Sequence, residues 1–183
     1  MTNKEIFEKA YKLMDEPIIN GNCGLLCNFH CCRDKDEHGN RLGIYLIPEE
    51  YEAIFVHHPE IEVESLTKEE HGDIYLPDEI GNLNYMYCGG AMDCIRELRP
   101  IHCRSYPLEP HIENDEFMLV IEKDQIHDCK VIEMEQSWRK EYLTGVYEAW
   151  KLLLKIPIIK TYIKYQSNER IRSNNIKKTI KLF

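Results

Sequence analysis

Apolar positions recur every three to four residues in two separate stretches of this chain, one near its start and one beyond residue 137. Ile6, Ala10, Leu13 and Met14 share a face of a helix expected over residues 3–14. Thr2 and Glu5 ahead of them form a capping box, in which hydroxyl and carboxylate each answer a backbone N–H. Glu16-Pro17 ends that helix, because the residue before proline avoids the α region. Trp138, Tyr142, Val146, Trp150 and Leu153 make the second stripe, with Ser137 as N-cap and Pro157 as its end. An aromatic stripe at this spacing reads as core. Residues 158–183 read as a second, more exposed basic helix with a frayed end.

The pattern between these helices is shorter-ranged. Leu42 to Ile47 and Phe117 to Glu122 read as strands, as does the brief run Asp73 to Leu76. Pro48-Glu49-Glu50 starts a helix expected to pass Val56 and stop by Pro59, since proline suits the first helical position and acids favour the positive end of the dipole. The result is an α+β expectation: a small irregular domain with a few short strands, an N-terminal helix and amphipathic C-terminal helices.

A length of 183 residues fits a single domain over 1–183, and 43% hydrophobic content supports a core. No apolar run approaches the roughly 18–20 residues of a membrane span. The first residues carry acids where an export signal is basic and then apolar, so the expected compartment is the cytoplasm. Charge is uneven. Lys and Arg number 14 and Asp and Glu 31 up to Trp150, against 9 and 1 beyond it. The acidic body gives no signal for nucleic-acid binding, which calls for a basic surface. The basic end reads as a solvated helix that complements the body. The chain thus divides into a core over 1–135 and a helical, basic extension over 136–183 packed on it.

Eight cysteines change this picture. Cys23, Cys27, Cys31 and Cys32 fall within ten residues, and Cys88, Cys94, Cys103 and Cys129 follow. In a reducing compartment such a set points to metal rather than disulfides. Thiolates are soft ligands that select zinc or iron–sulfur chemistry over magnesium or calcium. The gaps Cys23-x3-Cys27 and Cys27-x3-Cys31 suit a tetrahedral zinc site, and eight thiols fill two four-ligand sites with none left over. A [4Fe–4S] cluster uses four. The adjacent Cys31 and Cys32 are suited either to serve two sites or to bridge two metals. Residues 23–32 are expected to form a loop that turns helical near Leu26. Arg33, Arg96, Arg99, Arg104 and Lys130 lie beside cysteines, and Arg99 and Arg104 are the leading candidates to donate N–H groups to thiolate sulfur. His30 and His102 each neighbour a cysteine but are unneeded as ligands.

The run Cys23…Cys27…Cys31-Cys32, then Pro48-Glu49-Glu50, then Cys88, Cys94 and Arg99-Pro100-Ile-His-Cys103-Arg104-Ser-Tyr106-Pro107 resembles the YkgJ-type cysteine-cluster family, the zinc- or iron-chelating CxxCxxCC domain. The resemblance covers roughly residues 20–132, with Cys129 completing the eight. Each gap in the first group is one residue longer than the family pattern. The resemblance implies metal binding and, through a related cysteine region in flagellin lysine N-methylases, keeps iron–sulfur open beside zinc. Three functions follow as expectations: a metalloprotein with a structural or electron-carrying all-cysteine centre, a lysine-methylating enzyme using S-adenosylmethionine, or a zinc-bearing module that holds a protein partner. No Gly-rich strand–turn–helix signature for a methyl donor is present, and no residue stands out as catalytic.

Overall fold

The computed structural model describes residues 1–67, 70, 76–125 and 128–180. The expected strand at Asp73 to Leu76 falls outside them except for Leu76, which is buried and not in a strand. The chain is α+β, with helices and two three-stranded antiparallel sheets.

Helix α1 (Asn3–Leu13) begins with the capping box: Glu5 N donates to Thr2 Oγ1 at 3.3 Å and Thr2 N to Glu5 Oε2 at 2.7 Å. Its face of Ile6, Phe7 and Ala10 is buried. Strand β1 (Gly43–Tyr45) is the centre of the expected strand. Helix α2 (Glu50–Ala53) is only one turn, followed by a separate 3-10 turn at Phe55–His57. The long helix expected from Pro48 is broken at its start because Glu49 lies in the left-handed region, at φ 67°, while Glu50 is buried. Strands β2 (Val63–Leu66) and β3 (Leu83–Tyr87) complete the first sheet, in the order β1-β3-β2.

Two short helices follow, α3 (Gly90–Asp93) and α4 (Ile101–Ser105). Strands β4 (Glu109–Glu113) and β5 (Glu116–Glu122) then pair, with Glu109 opposite Val120. Beyond them α5 (Lys130–Glu133) leads to α6 (Lys140–Leu153) and α7 (Pro157–Arg172).

Three expectations for this region are corrected. Ser137 does not cap α6. It lies in a 3-10 turn, and Arg139 is the N-cap. The lead-in is held extended because Trp138 Nε1 donates to Val131 O at 2.8 Å and Arg139 N to Ile18 O at 2.8 Å. Pro157 does more than end a helix, since it opens α7 where its missing N–H costs nothing. The chain beyond α7 is a strand rather than a frayed helix end. Asn174 turns it at φ 54°, Asn175 Oδ1 accepts from Lys123 N and Asp124 N at 2.9 Å, and β6 (Ile176–Ile180) pairs with β5.

The aromatic stripe of α6 is core as expected. Tyr142, Val146, Ala149, Trp150 and Leu153 are buried. Helix α6 packs on α1 with Gly145 against the Leu13 carbonyl, where a Cβ would stand 2.1 Å from the oxygen. Helix α7 covers β4. Ile112 N donates to Ser167 Oγ at 2.9 Å, and Arg170 donates to Pro110 O at 2.9 Å. Residues 136–180 therefore share a sheet with β5 and a helix interface with α1. Among the described residues no helix is long and apolar enough to cross a membrane.

Candidate metal centre

The first four cysteines sit on two tight turns rather than along one helix face. Cys23–Leu26 and His30–Cys32 are 3-10 turns, joined through Asn28 and Phe29 in the left-handed region at φ 50° and 56°. The loop expected to turn helical near Leu26 does so earlier, at Cys23, and only as two short 3-10 turns. Asn22 Oδ1 fixes the start by accepting from Gly24 N at 3.0 Å. The bare Cα of Gly24 lets the Phe29 ring fold over it, where a Cβ would stand 2.3 Å from the ring. Phe29 N donates to Gly24 O at 2.7 Å and Cys32 N to Phe29 O at 2.8 Å, closing the loop.

The other four arrive from separate elements. Cys88 follows β3 and is pinned by its N–H to Leu42 O at 2.9 Å. Cys94 ends α3, Cys103 lies inside α4, and Cys129 stands at the start of α5. The core stripe positions the last two. Tyr142 donates to Ser105 O at 2.6 Å, at the end of α4, and Trp138 holds α5 through Val131 O. Glu50 fixes the beginning of α4. Its carboxylate accepts from Ile101 N at 2.8 Å, Tyr11 OH at 2.7 Å and Ile47 N at 3.0 Å.

The eight thiols converge, and they do so in two groups. Cys23, Cys27, Cys31 and Cys129 line one cavity of about 30 Å³, walled by Tyr106 and Pro107. Burial pushes the Cys23 thiol up, as do the charges of Cys129, Cys32 and Cys27, and the Arg99 charge opposes them. Burial likewise pushes Cys129 up, opposed by the Val131 and Ile132 N–H groups and by the Tyr106 hydroxyl. Cys32, Cys88, Cys94 and Cys103 form the other group. Burial pushes Cys88 up, reinforced by Cys32 and Cys94, and pushes Cys103 up, reinforced by Cys88, Cys32 and Cys94. Cys103 is nonetheless solvent-accessible. The groups meet at Cys31 and Cys32, whose sulfurs are 3.8 Å apart. The Cys31 hydrogen bond and Arg99 draw the Cys32 thiol down to about 6, against burial.

Of the five cations beside cysteines, Arg99 meets the expectation, with Nε donating to Cys94 Sγ at 3.2 Å and its charge facing Cys32 and Cys103. Arg104 has a different role. It donates to the carbonyls of Arg99 at 2.7 Å, Arg96 at 3.0 Å and Glu97 at 2.9 Å, and lies over the Tyr11 ring at 4.4 Å. It clamps the loop between Cys94 and Cys103 without serving a sulfur. Arg33 meets His30, Arg96 pairs with Asp15, and Lys130 with Asp128. His102 faces Glu109 at 3.6 Å and packs on Trp150. Sequence reasoning missed Tyr106 and Glu50 as residues of the site. The place of Glu50 after Pro48 and of Tyr106 before Pro107 gave no chemical hint of a thiol neighbour.

Among the described residues, no three His, Cys, Asp or Glu side chains are already drawn to the spacing of one ion's ligands. The donor set nevertheless fits a thiophilic metal. A cysteine sulfur moves on a single χ1 rotation. A tetrahedral zinc with Zn–S of about 2.3 Å sets its sulfurs about 3.8 Å apart. Cys23, Cys27, Cys31 and Cys129 already line one cavity, four thiols for four such positions.

Two small antiparallel sheets with helices, and a set of mostly half-buried thiols on short turns, define a small α+β protein. No protein-family profile matches the chain, and no curated protein or solved structure matches it.

Proposed function

We propose that this chain is a metal-binding protein that holds zinc or an iron–sulfur cluster through its eight thiolates, in a structural or electron-carrying role. The observation that carries the reading is convergence. Cysteines from the first loop and α5 line one cavity, the Cys31 and Cys32 sulfurs stand 3.8 Å apart, and Arg99 donates to Cys94, whose charge acts on Cys88 and Cys103. Cysteines used as ordinary small apolar residues would be spread through the core, yet only Cys129 of the eight is buried. The resemblance to the zinc- or iron-chelating cysteine-cluster family points the same way.

Zinc bound here would cross-link the turns, and an iron–sulfur cluster would also carry an electron. The chain's own residues do the rest. Glu50 and Arg104 set the α4 segment, Trp138 and Tyr142 set α5 and the end of α4, and Arg99 offsets thiolate charge. Structural zinc contributes on the order of 10–16 kcal/mol in small peptides. Net domain stability is about 5–15 kcal/mol. Metal and fold are therefore expected to stand or fall together.

Anaerobic purification with elemental analysis and a visible spectrum tests the proposal. Colourless protein with stoichiometric zinc, or brown protein with iron and sulfide, is expected. Protein that carries neither, and whose thermal melt is unmoved by chelator, would refute it.

A further inference from the structure

Cys31 and Cys32 are neighbours in sequence but keep different company. Cys31 lines the cavity it shares with Cys23, Cys27 and Cys129, and Cys32 does not. Cys32 instead faces Cys88 and Cys103, and Arg99. We infer that the eight thiols form two separate four-thiolate centres divided between Cys31 and Cys32, and that the two are unequal because Arg99 donates its hydrogen bond to a sulfur of the one made by Cys32, Cys88, Cys94 and Cys103, and reaches the other only through its charge at Cys23. The inference rests on the metal-binding reading above and adds to it which thiols share an ion and which ion is held more tightly.

The local chain explains the division. The left-handed pair Asn28 and Phe29 reverses the backbone just before the His30–Cys32 turn. The turn leaves the two sulfurs 3.8 Å apart, one beside each group. Cys129 reaches the first group because Trp138 and the α5 turn bring it against Tyr106. Cys94 and Cys103 reach the second because Arg104 ties the carbonyls of residues 96, 97 and 99 together.

Charge makes the centres unlike. Four thiolates round a divalent ion retain about two negative charges, which the protein must offset. The Cys32 group has the Arg99 guanidinium 3.2 Å from Cys94 Sγ. The Cys31 group has the neutral Tyr106 hydroxyl at Cys129. Removing such an outer partner typically weakens metal binding by about 10- to 100-fold. The Cys32 centre is expected to fill first and empty last.

The test uses the full chain, freed of metal anaerobically and titrated with zinc alone, with bound ions counted by native mass spectrometry. Two ions are expected in the unaltered chain. Cys31→Ser should keep one ion, and Cys27→Ser and Cys129→Ser should behave like it. Cys32→Ser should also keep one ion, as should Cys88→Ser and Cys94→Ser. Arg99→Gln then tells the two survivors apart. Combined with Cys31→Ser, it should weaken the remaining ion by about 10- to 100-fold, and combined with Cys32→Ser it should leave the remaining ion unchanged. Should a serine variant fail to fold, Arg99→Gln in the otherwise unaltered chain still decides, because one of two dissociation constants should move and the other stay. A single ion in the unaltered chain, loss of the same ion in Cys31→Ser and Cys32→Ser, or equal movement of both constants overturns the inference while leaving metal binding intact. No zinc uptake by the unaltered chain takes down the metal-binding reading with it.

Discussion

Glu50 is wholly buried, and its carboxylate receives hydrogen bonds from three distant parts of the chain: Tyr11 on α1, Ile47 before α2, and Ile101 at the start of α4. Burial pushes its ionisation upward, and the three donors oppose it. Replacing Glu50 with Ala leaves two N–H groups and a phenol without partners in the interior. Such orphaned donors cost about 1–3 kcal/mol each, reduced where the cavity admits water. A loss of roughly 3 kcal/mol is expected for Glu50→Ala, read from urea denaturation under reducing conditions. A change below about 0.5 kcal/mol, the usual range for an indifferent surface substitution, would remove Glu50 from its assigned place. The same residue also explains part of what the sequence concealed. It looks like an ordinary acid in the first turn of a helix, and only the fold shows that it points inward and caps the cysteine-bearing α4.

Among elements, the α1–α6 contact depends on a missing side chain. A Cβ at Gly145 would meet the Leu13 carbonyl at 2.1 Å, and backbone on both sides cannot move without parting the helices. Gly145→Ala would gain up to about 1 kcal/mol in helix propensity but lose more to overpacking, which costs typically 1–3 kcal/mol. A net fall of about 1–2 kcal/mol in thermal or denaturant stability is expected, and a gain would show that the helices do not approach as described. Helices α1 and α6 were readable from sequence because their stripes repeat over three or four turns, as at Ile6, Ala10, Val146 and Trp150. Strands β2, β3, β4 and β6 were not. Their runs are four or five residues long, and β4 contains Glu109, Pro110 and His111. Strand β6 reads Ile-Lys-Lys-Thr-Ile, whose burial is decided by pairing with β5 rather than by its own pattern. The number of cysteines raised the expectation of a metal site, yet their grouping depends on left-handed turns at Asn28 and Phe29 that side-chain identity alone does not signal.

Across the whole molecule, the C-terminal helix is locked to the second sheet by a buried charge cluster. Arg170 pairs with both Glu122 and Glu109, and His102 faces Glu109 from α4. Two carboxylates share one guanidinium in a buried setting, and burial pushes Glu109 up to about 7, opposed by Arg170 and reinforced by Glu122. An unfolded glutamate ionises near about 4.3. Between those values the folded chain holds a proton that the unfolded chain releases, so this contribution to stability is full below about pH 4 and lost as pH rises through about 7. Compared with Glu109→Gln, the unaltered protein is expected to lose on the order of 1–3 kcal/mol between pH 5 and 8, measured as urea midpoints across that range; a pH-independent difference would contradict the assignment. The second sheet has one more consequence, in the order of synthesis. Strand β5 cannot receive β6 until the ribosome has passed Ile176, about 47 residues after Cys129. At roughly 5–20 residues per second that gap lasts some 2–9 seconds, during which all eight thiols have been made but the sheet has not closed. On the metal-binding proposal, a nascent chain would have all its ligands before its own architecture is finished, and metal supply during translation would help determine how much protein reaches the folded state.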